Sequence, residues 1–177
     1  PKGVKNPYPK ETQAERKRVD NGLPEGHQHK GNLRGPAAMP NVNGDEATWD
    51  GATTTIAVNT LKRLARKNQP FFLAMGYIRP HLPFTPPKKY WDLYKRQDIK
   101  LATNRFIPRG SPPLALSDSY EMRHYSDMTN FPTPSDPPVD NAIARRLIHG
   151  YYASISFVDA QIGRLLATLT EEGLDKN

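Results

Sequence analysis

The chain has 177 residues, enough for one domain with its own core and too few for two comfortable ones. A hydrophobic share of 36%, a mean hydropathy of −0.74 and 18 prolines beside 12 glycines argue for a loop-rich globular segment over a compact helical bundle; with no cysteine, disulfides, thiolate metal sites and a cysteine nucleophile are excluded within the chain. The net charge of +7 is concentrated between residues 61 and 109, where twelve Lys and Arg face two acids, a field that suits an anionic partner or a solvated basic surface.

In chain order, residues 1–40 read as irregular and loop-rich, with one short helix from Lys10 to Val19 among the Pro and Gly punctuation. Pro1 to Lys10 lacks the apolar stretch of a signal peptide, and no apolar run reaches the roughly 20 residues of a membrane span. Residues 41–177 form the second unit. After the turn cluster Asn41–Asp45, a helical pattern begins near Asp50 with Ile56, Thr60, Leu61, Leu64 and Ala65 on one face, and Asn68-Gln69-Pro70 stops it. Phe71–Ile78 is a nearly continuous apolar run between prolines, which predicts a strand buried on both faces and, following a helix, a parallel α/β sheet. That run empties into Arg79-Pro80-His81-Leu82-Pro83-Phe84, the kind of strand end outside which α/β proteins bind ligands. A short helix is expected over Lys88–Tyr94, then a proline-rich excursion over Ile107–Val139. A long helix follows from Asp140 to Glu172, with Leu147, Tyr151, Ile155, Val158, Ile162, Leu165 or Leu166, and Leu169 as its apolar face, closed by Gly173. Leu174–Asn177 reads as the lead-in to a further strand.

Phosphate-cradling glycine loops, helical zinc pairs, EF-hand loops and serine elbows are absent from the sequence. His27 and His29 sit in a glycine-rich stretch that reads as surface loop rather than metal site, His149 reads as a packing or surface residue, and His124 carries no signal. His81 differs in lying at a strand end between stiffening prolines, two residues after Arg79. An imidazole there can donate a proton or bind an anion, and the guanidinium can fork to a carboxylate or sulfate; a satisfied structural histidine is the alternative.

The stretch from Pro70 to Phe84, a "PFFL" strand followed by "GY-x-R-PH-x-PF", resembles the type I sulfatase family and its iduronate-2-sulfatase-like branch in particular. The block Tyr151–Leu166 is similar to that family's long helix before a metal-binding strand, and Trp49-Asp50-Gly51 fits the start of the preceding helix. The resemblance implies a partial alkaline-phosphatase-like α/β domain that hydrolyses sulfate esters, with a formylglycine nucleophile and a calcium ion. Neither the "[CS]-x-[PA]-x-R" nucleophile motif nor a "DHG"-type metal strand occurs in the chain, so the resemblance implies an internal piece that is inactive alone. By the same resemblance, His81 matches the histidine that contacts sulfate and helps protonate the leaving alcohol, Arg79 lies near the substrate rim, and the partner is a sulfated sugar, in a periplasmic, extracellular or lysosomal setting. The basic middle of the chain is expected to flank that anionic substrate. Two other readings stay open: a non-catalytic polyanion-binding segment, and a nucleic-acid module using Tyr90, Trp91 and Tyr94 among Lys88, Lys89, Lys95 and Arg96.

Overall fold

The computed structural model of the chain describes residues 3–67 and 69–176. Four α-helices carry the architecture: α1 (Lys10–Gly22), α2 (Trp49–Ala65), α3 (Lys88–Trp91) and α4 (Asn141–Glu171). Short 3₁₀ turns, among them Tyr120–His124, punctuate the rest. Asn68, in the expected helix stop, and Asn177, at the expected strand lead-in, lie outside the described residues.

Helix α2 starts where Thr48 caps it, its hydroxyl accepting from Gly51 N–H at 3.0 Å. Gly51 is required by crowding, since a Cβ there would lie 2.0 Å from the Asp45 carbonyl oxygen. The buried face of α2 is Gly51, Thr54, Ala57 and Leu61, a stripe of mostly small residues that brings α4 close. Ile56, expected on the core side, is 55% exposed.

Helix α4 is capped by Asp140, whose Oδ1 accepts from Ala142 N–H at 2.7 Å and Ile143 N–H at 3.3 Å. It ends where Gly173 takes φ +69° and Leu174 N–H reaches back to the Leu169 carbonyl at 2.8 Å. Its buried side is His149, Gly150, Ala153, Ser154, Phe157 and Gln161. Tyr151, Ile155, Ile162 and Leu166, most of the face read from the periodicity, are exposed instead. The helix is therefore apolar on two sides, and the described residues cover only one of them.

The expected strand does not form. Phe71–Ile78 carries no regular secondary structure, no strand pairs with it among the described residues, and Phe72 is 92% exposed. A central strand needs neighbours to take its N–H and C=O groups and layers to cover its side chains; the described residues supply only three isolated parallel bridges, Arg34 to Tyr125, Ala38 to Phe84 and Asn41 to Pro87. Those bridges mark the spine of the irregular part. Phe84 N–H donates to the Ala37 carbonyl at 2.7 Å, Asn41 N–H to Pro86 at 2.8 Å and Lys88 N–H to Asn41 at 2.9 Å, which threads residues 37–41 beside 84–88.

Two small cores meet this spine. Ala37, Tyr125 and Met128 form one, with Leu82, Met122, Phe131, Ile143 and Leu147 packed against it. Ala38, Trp91 and Ala153 form the other, with Phe84, Tyr94 and Leu147 alongside. Gly150 lets α4 approach this second core, because a Cβ there would fall 2.7 Å from Phe84 Cβ and 3.1 Å from Ala38 Cβ. Asp45 ties the layers together: its Oδ2 accepts from Tyr90 Oη at 2.7 Å and from Gln161 Nε2 at 3.0 Å, with Lys89 Nζ at 3.0 Å. Burial raises its pKa, but those donors outweigh burial and hold the carboxyl below its usual range.

Candidate functional site

The loop after Phe71–Ile78 is built from both ends. At its start the buried carboxylate of Asp50, in the first turn of α2, accepts Ile78 N–H at 2.7 Å on Oδ1 and Arg79 N–H at 3.1 Å on Oδ2. The Arg79 guanidinium turns back into the loop, donating to the His81 carbonyl at 3.0 Å and to Thr85 Oγ1 at 2.7 Å. Burial pulls Arg79 below the ordinary guanidinium range, opposed by the negative field of Asp50. The Arg79–Pro80 and Leu82–Pro83 peptides are both cis.

Further along, Leu82 and Phe84 point into the two cores and anchor the loop from below. His81, between these anchors and the prolines, is left outside with 61% of its side chain exposed. Its Nδ1 lies 2.9 Å from the Leu82 carbonyl, so Nδ1–H donates there and Nε2 is the outward atom. Opposite Nε2 at 3.6 Å stands Glu121 Oε2. The other oxygen of Glu121 accepts from Arg34 at 2.7 Å and from Tyr125 Oη at 3.2 Å, and Arg34 also donates to Tyr125 Oη at 3.1 Å.

Arg79 and His81 thus share one loop but face different ways. Arg79 braces the backbone and lines a cleft of about 500 Å³ with Lys5, Tyr8, Asp50, Leu82 and Pro83, while His81 projects from the loop surface. Of the basic segment, Lys62 and Arg63 do not gather here. Lys62 and Arg63 occupy the last turn of α2, roughly 20 Å along the helix from Asp50 at 1.5 Å per residue. Lys88 pairs with Asp92 at 2.6 Å and Lys89 with Asp45 at 3.0 Å.

The remaining histidines part company. His149 is buried, stacked on Trp91 with ring centroids 4.2 Å apart, its Nε2–H donating to the Trp91 carbonyl at 2.8 Å, a packing role. His29, expected on a surface loop, is fully buried against His124 and His27. Among the described residues no group of three His, Cys, Asp or Glu is arranged to hold a metal ion. Asp50, Thr85, Arg34, Tyr125 and Glu121 are the parts of the site that sequence reasoning missed. Only Asp50 had a signal, as the acidic residue opening α2.

This geometry can be set beside known proteins. The family model described as Sulfatase matches residues 4–177. The chain belongs to the sulfatase family. Iduronate 2-sulfatase of Homo sapiens is 37% identical over 152 residues, covering 84% of this chain and 27% of that protein. The Mus musculus iduronate 2-sulfatase is 33% identical over 72% of this chain and 23% of its own length. An arylsulfatase of Clostridium perfringens is 31% identical over 60% of this chain and 20% of its own. This is a type I sulfatase sequence of the iduronate-2-sulfatase-like kind, and it spans about a quarter of the length of the curated relatives it matches. Membership assigns the alkaline-phosphatase-like α/β fold to the sulfatase as a whole. No described helix of the chain is long and apolar enough to cross a membrane.

Proposed function

We propose that this chain is the central part of a sulfatase that hydrolyses sulfate esters on a sulfated sugar of the glycosaminoglycan type, with His81 acting at the ester. The observation that carries the reading is the presentation of His81. Asp50 and Arg79 lock the loop, Leu82 and Phe84 bury its neighbours, and the imidazole alone is turned outward. With Nδ1–H committed to the Leu82 carbonyl, a proton on Nε2 can bond a sulfate oxygen and pass to the leaving alkoxide as the ester S–O bond breaks. In the intact protein Phe71–Ile78 pairs as a parallel strand with segments beyond this chain. Arg79, on the adjoining cleft, faces the sugar side of the substrate, where a carboxylate or second sulfate would dock.

By family, calcium and a formylglycine supply charge neutralisation and the nucleophile, and their ligands lie outside this chain. The described residues offer no metal trio, so this chain's part is confined to orienting the ester and moving a proton. The nucleic-acid reading loses its stacking platform, because Tyr90 and Trp91 are buried. A non-catalytic polyanion-binding segment remains the second reading, favoured by exposed bases such as Arg66 and Lys67.

The test is turnover of a sulfate ester by the full-length protein. His81→Ala is expected to lower kcat/KM by about 10²- to 10⁴-fold, the range of general acid catalysis, while Lys62→Ala leaves it unchanged. Equal small losses for both would remove His81 from the site.

A further inference from the structure

Three histidines outside the His81 loop come together where residues 27–34 meet the Tyr120–His124 turn. The His29 ring is fully buried, and neither of its nitrogens has a hydrogen-bond partner among the described residues. Its centroid lies 4.1 Å from that of His124, 5.4 Å from His27 and 5.4 Å from Tyr120. From its own loop His27 faces it; from the turn come His124 and Tyr120, with the positive field of Arg123, which is paired with Asp118 at 2.5 Å. The charged or ionisable groups that act on the ring among the described residues are His124, His27 and Arg123, and no carboxylate is among them. A neutral imidazole leaves one N–H unpaired in this pocket, whereas a charged one would leave two and would meet the positive field of Arg123.

The same packing closes a backbone seam. Arg34 N–H donates to the His124 carbonyl at 2.7 Å, and Ser126 N–H returns to the Arg34 carbonyl at 3.2 Å. The turn so held carries Glu121, which grips Arg34 through Oε1 and faces His81 through Oε2. We propose that His29 is a proton-sensitive latch: neutral, it docks residues 27–34 onto the Tyr120–His124 turn, and protonated, it releases the seam and with it the Glu121 contact to His81.

Burial first, then His124, His27 and Arg123, hold His29 below the ordinary imidazole value of 6.5. The released ring takes up its proton near 6.5, before the docked ring does. Docking stability is therefore complete above that pH and is lost as the pH falls below it, because the undocked state binds more protons in that window.

Hydrogen exchange on the full-length protein, corrected for intrinsic rates, tests this. Between about pH 7.5 and about pH 5, protection in residues 29–34 and 120–126 should drop about tenfold while that of α2 and α4 holds, and His29→Phe should abolish the drop. Unchanged protection in those segments, or the same loss in His29→Phe, would overturn the latch. Should His29→Phe not fold, the wild-type chain still decides. The His29 ring and the Arg34 and Ser126 amides should titrate together by NMR, and a ring that titrates while those amides stay still contradicts the proposal. The bearing on catalysis rests on the reading of His81 given above. Exchange reads the seam alone, so either can fail without the other.

Discussion

Asp50 is the residue on which the loop geometry turns. The residue is 4% exposed and spends both carboxylate oxygens on consecutive backbone N–H groups, Ile78 and Arg79, which have no other partner among the described residues. Asp50→Asn keeps the size but turns one acceptor into a donor aimed at an N–H. The cost should be about 1–3 kcal/mol, the range for a buried group left unsatisfied, seen as a lower denaturant midpoint and as faster exchange at Ile78 and Arg79. The contact between Glu121 and His81 is weaker. At 3.6 Å between side chains 39% and 61% exposed it is too long for a hydrogen bond and screened by solvent. Prolines and an apolar run single out His81 in the sequence. Its supports are not singled out, since Glu121 and Arg34 lie 87 positions apart and carry no local pattern.

At the scale of elements, the helices fall where the sequence places them, but their buried faces only in part: Leu61 and Leu147 pack inward as expected. The apolar periodicity of α4 runs along Tyr151, Ile155 and Ile162, whereas the side that packs in this chain is Gly150, Ala153 and Phe157. Small residues contribute little to a hydrophobic pattern, yet they decide how near two helices come. The two glycines of α4 separate the effects. A Cβ at Gly150 would collide with Phe84 and Ala38, so Gly150→Ala should destabilise by about 1–3 kcal/mol, as overpacking does. Gly163 has nothing within 4 Å of its would-be Cβ, so Gly163→Ala should stabilise by up to about 1 kcal/mol through helix propensity alone. Thermal unfolding of both variants followed by helix ellipticity checks the opposite signs, and two shifts in the same direction would show that the close approach at Gly150 is not maintained.

For the whole molecule, the sequence pointed to an α/β protein and the sulfatase family match carries that fold, while the described chain is helical with isolated bridges. The discrepancy is physical. Helices close their hydrogen bonds within themselves, so α2 and α4 form from local sequence; a strand such as Phe71–Ile78 exists only through its neighbours. Its exposed Phe72 and the open side of α4 are the surfaces such neighbours would cover. The basic segment illustrates a second limit of linear reading. Lys62 and His81 are 19 positions apart, yet the axis of α2 carries Lys62 away from the loop rather than toward it.

The central claim is that His81 hands a proton to the departing alcohol. The most direct measurement compares full-length wild type and His81→Ala on two sulfate esters, one with an acidic phenol as leaving group and one with an alkyl alcohol. A phenolate departs without help, whereas an alkoxide needs its proton. The loss in kcat should therefore be far larger on the alkyl ester than on the phenyl ester. Equal losses on both would contradict proton transfer by His81.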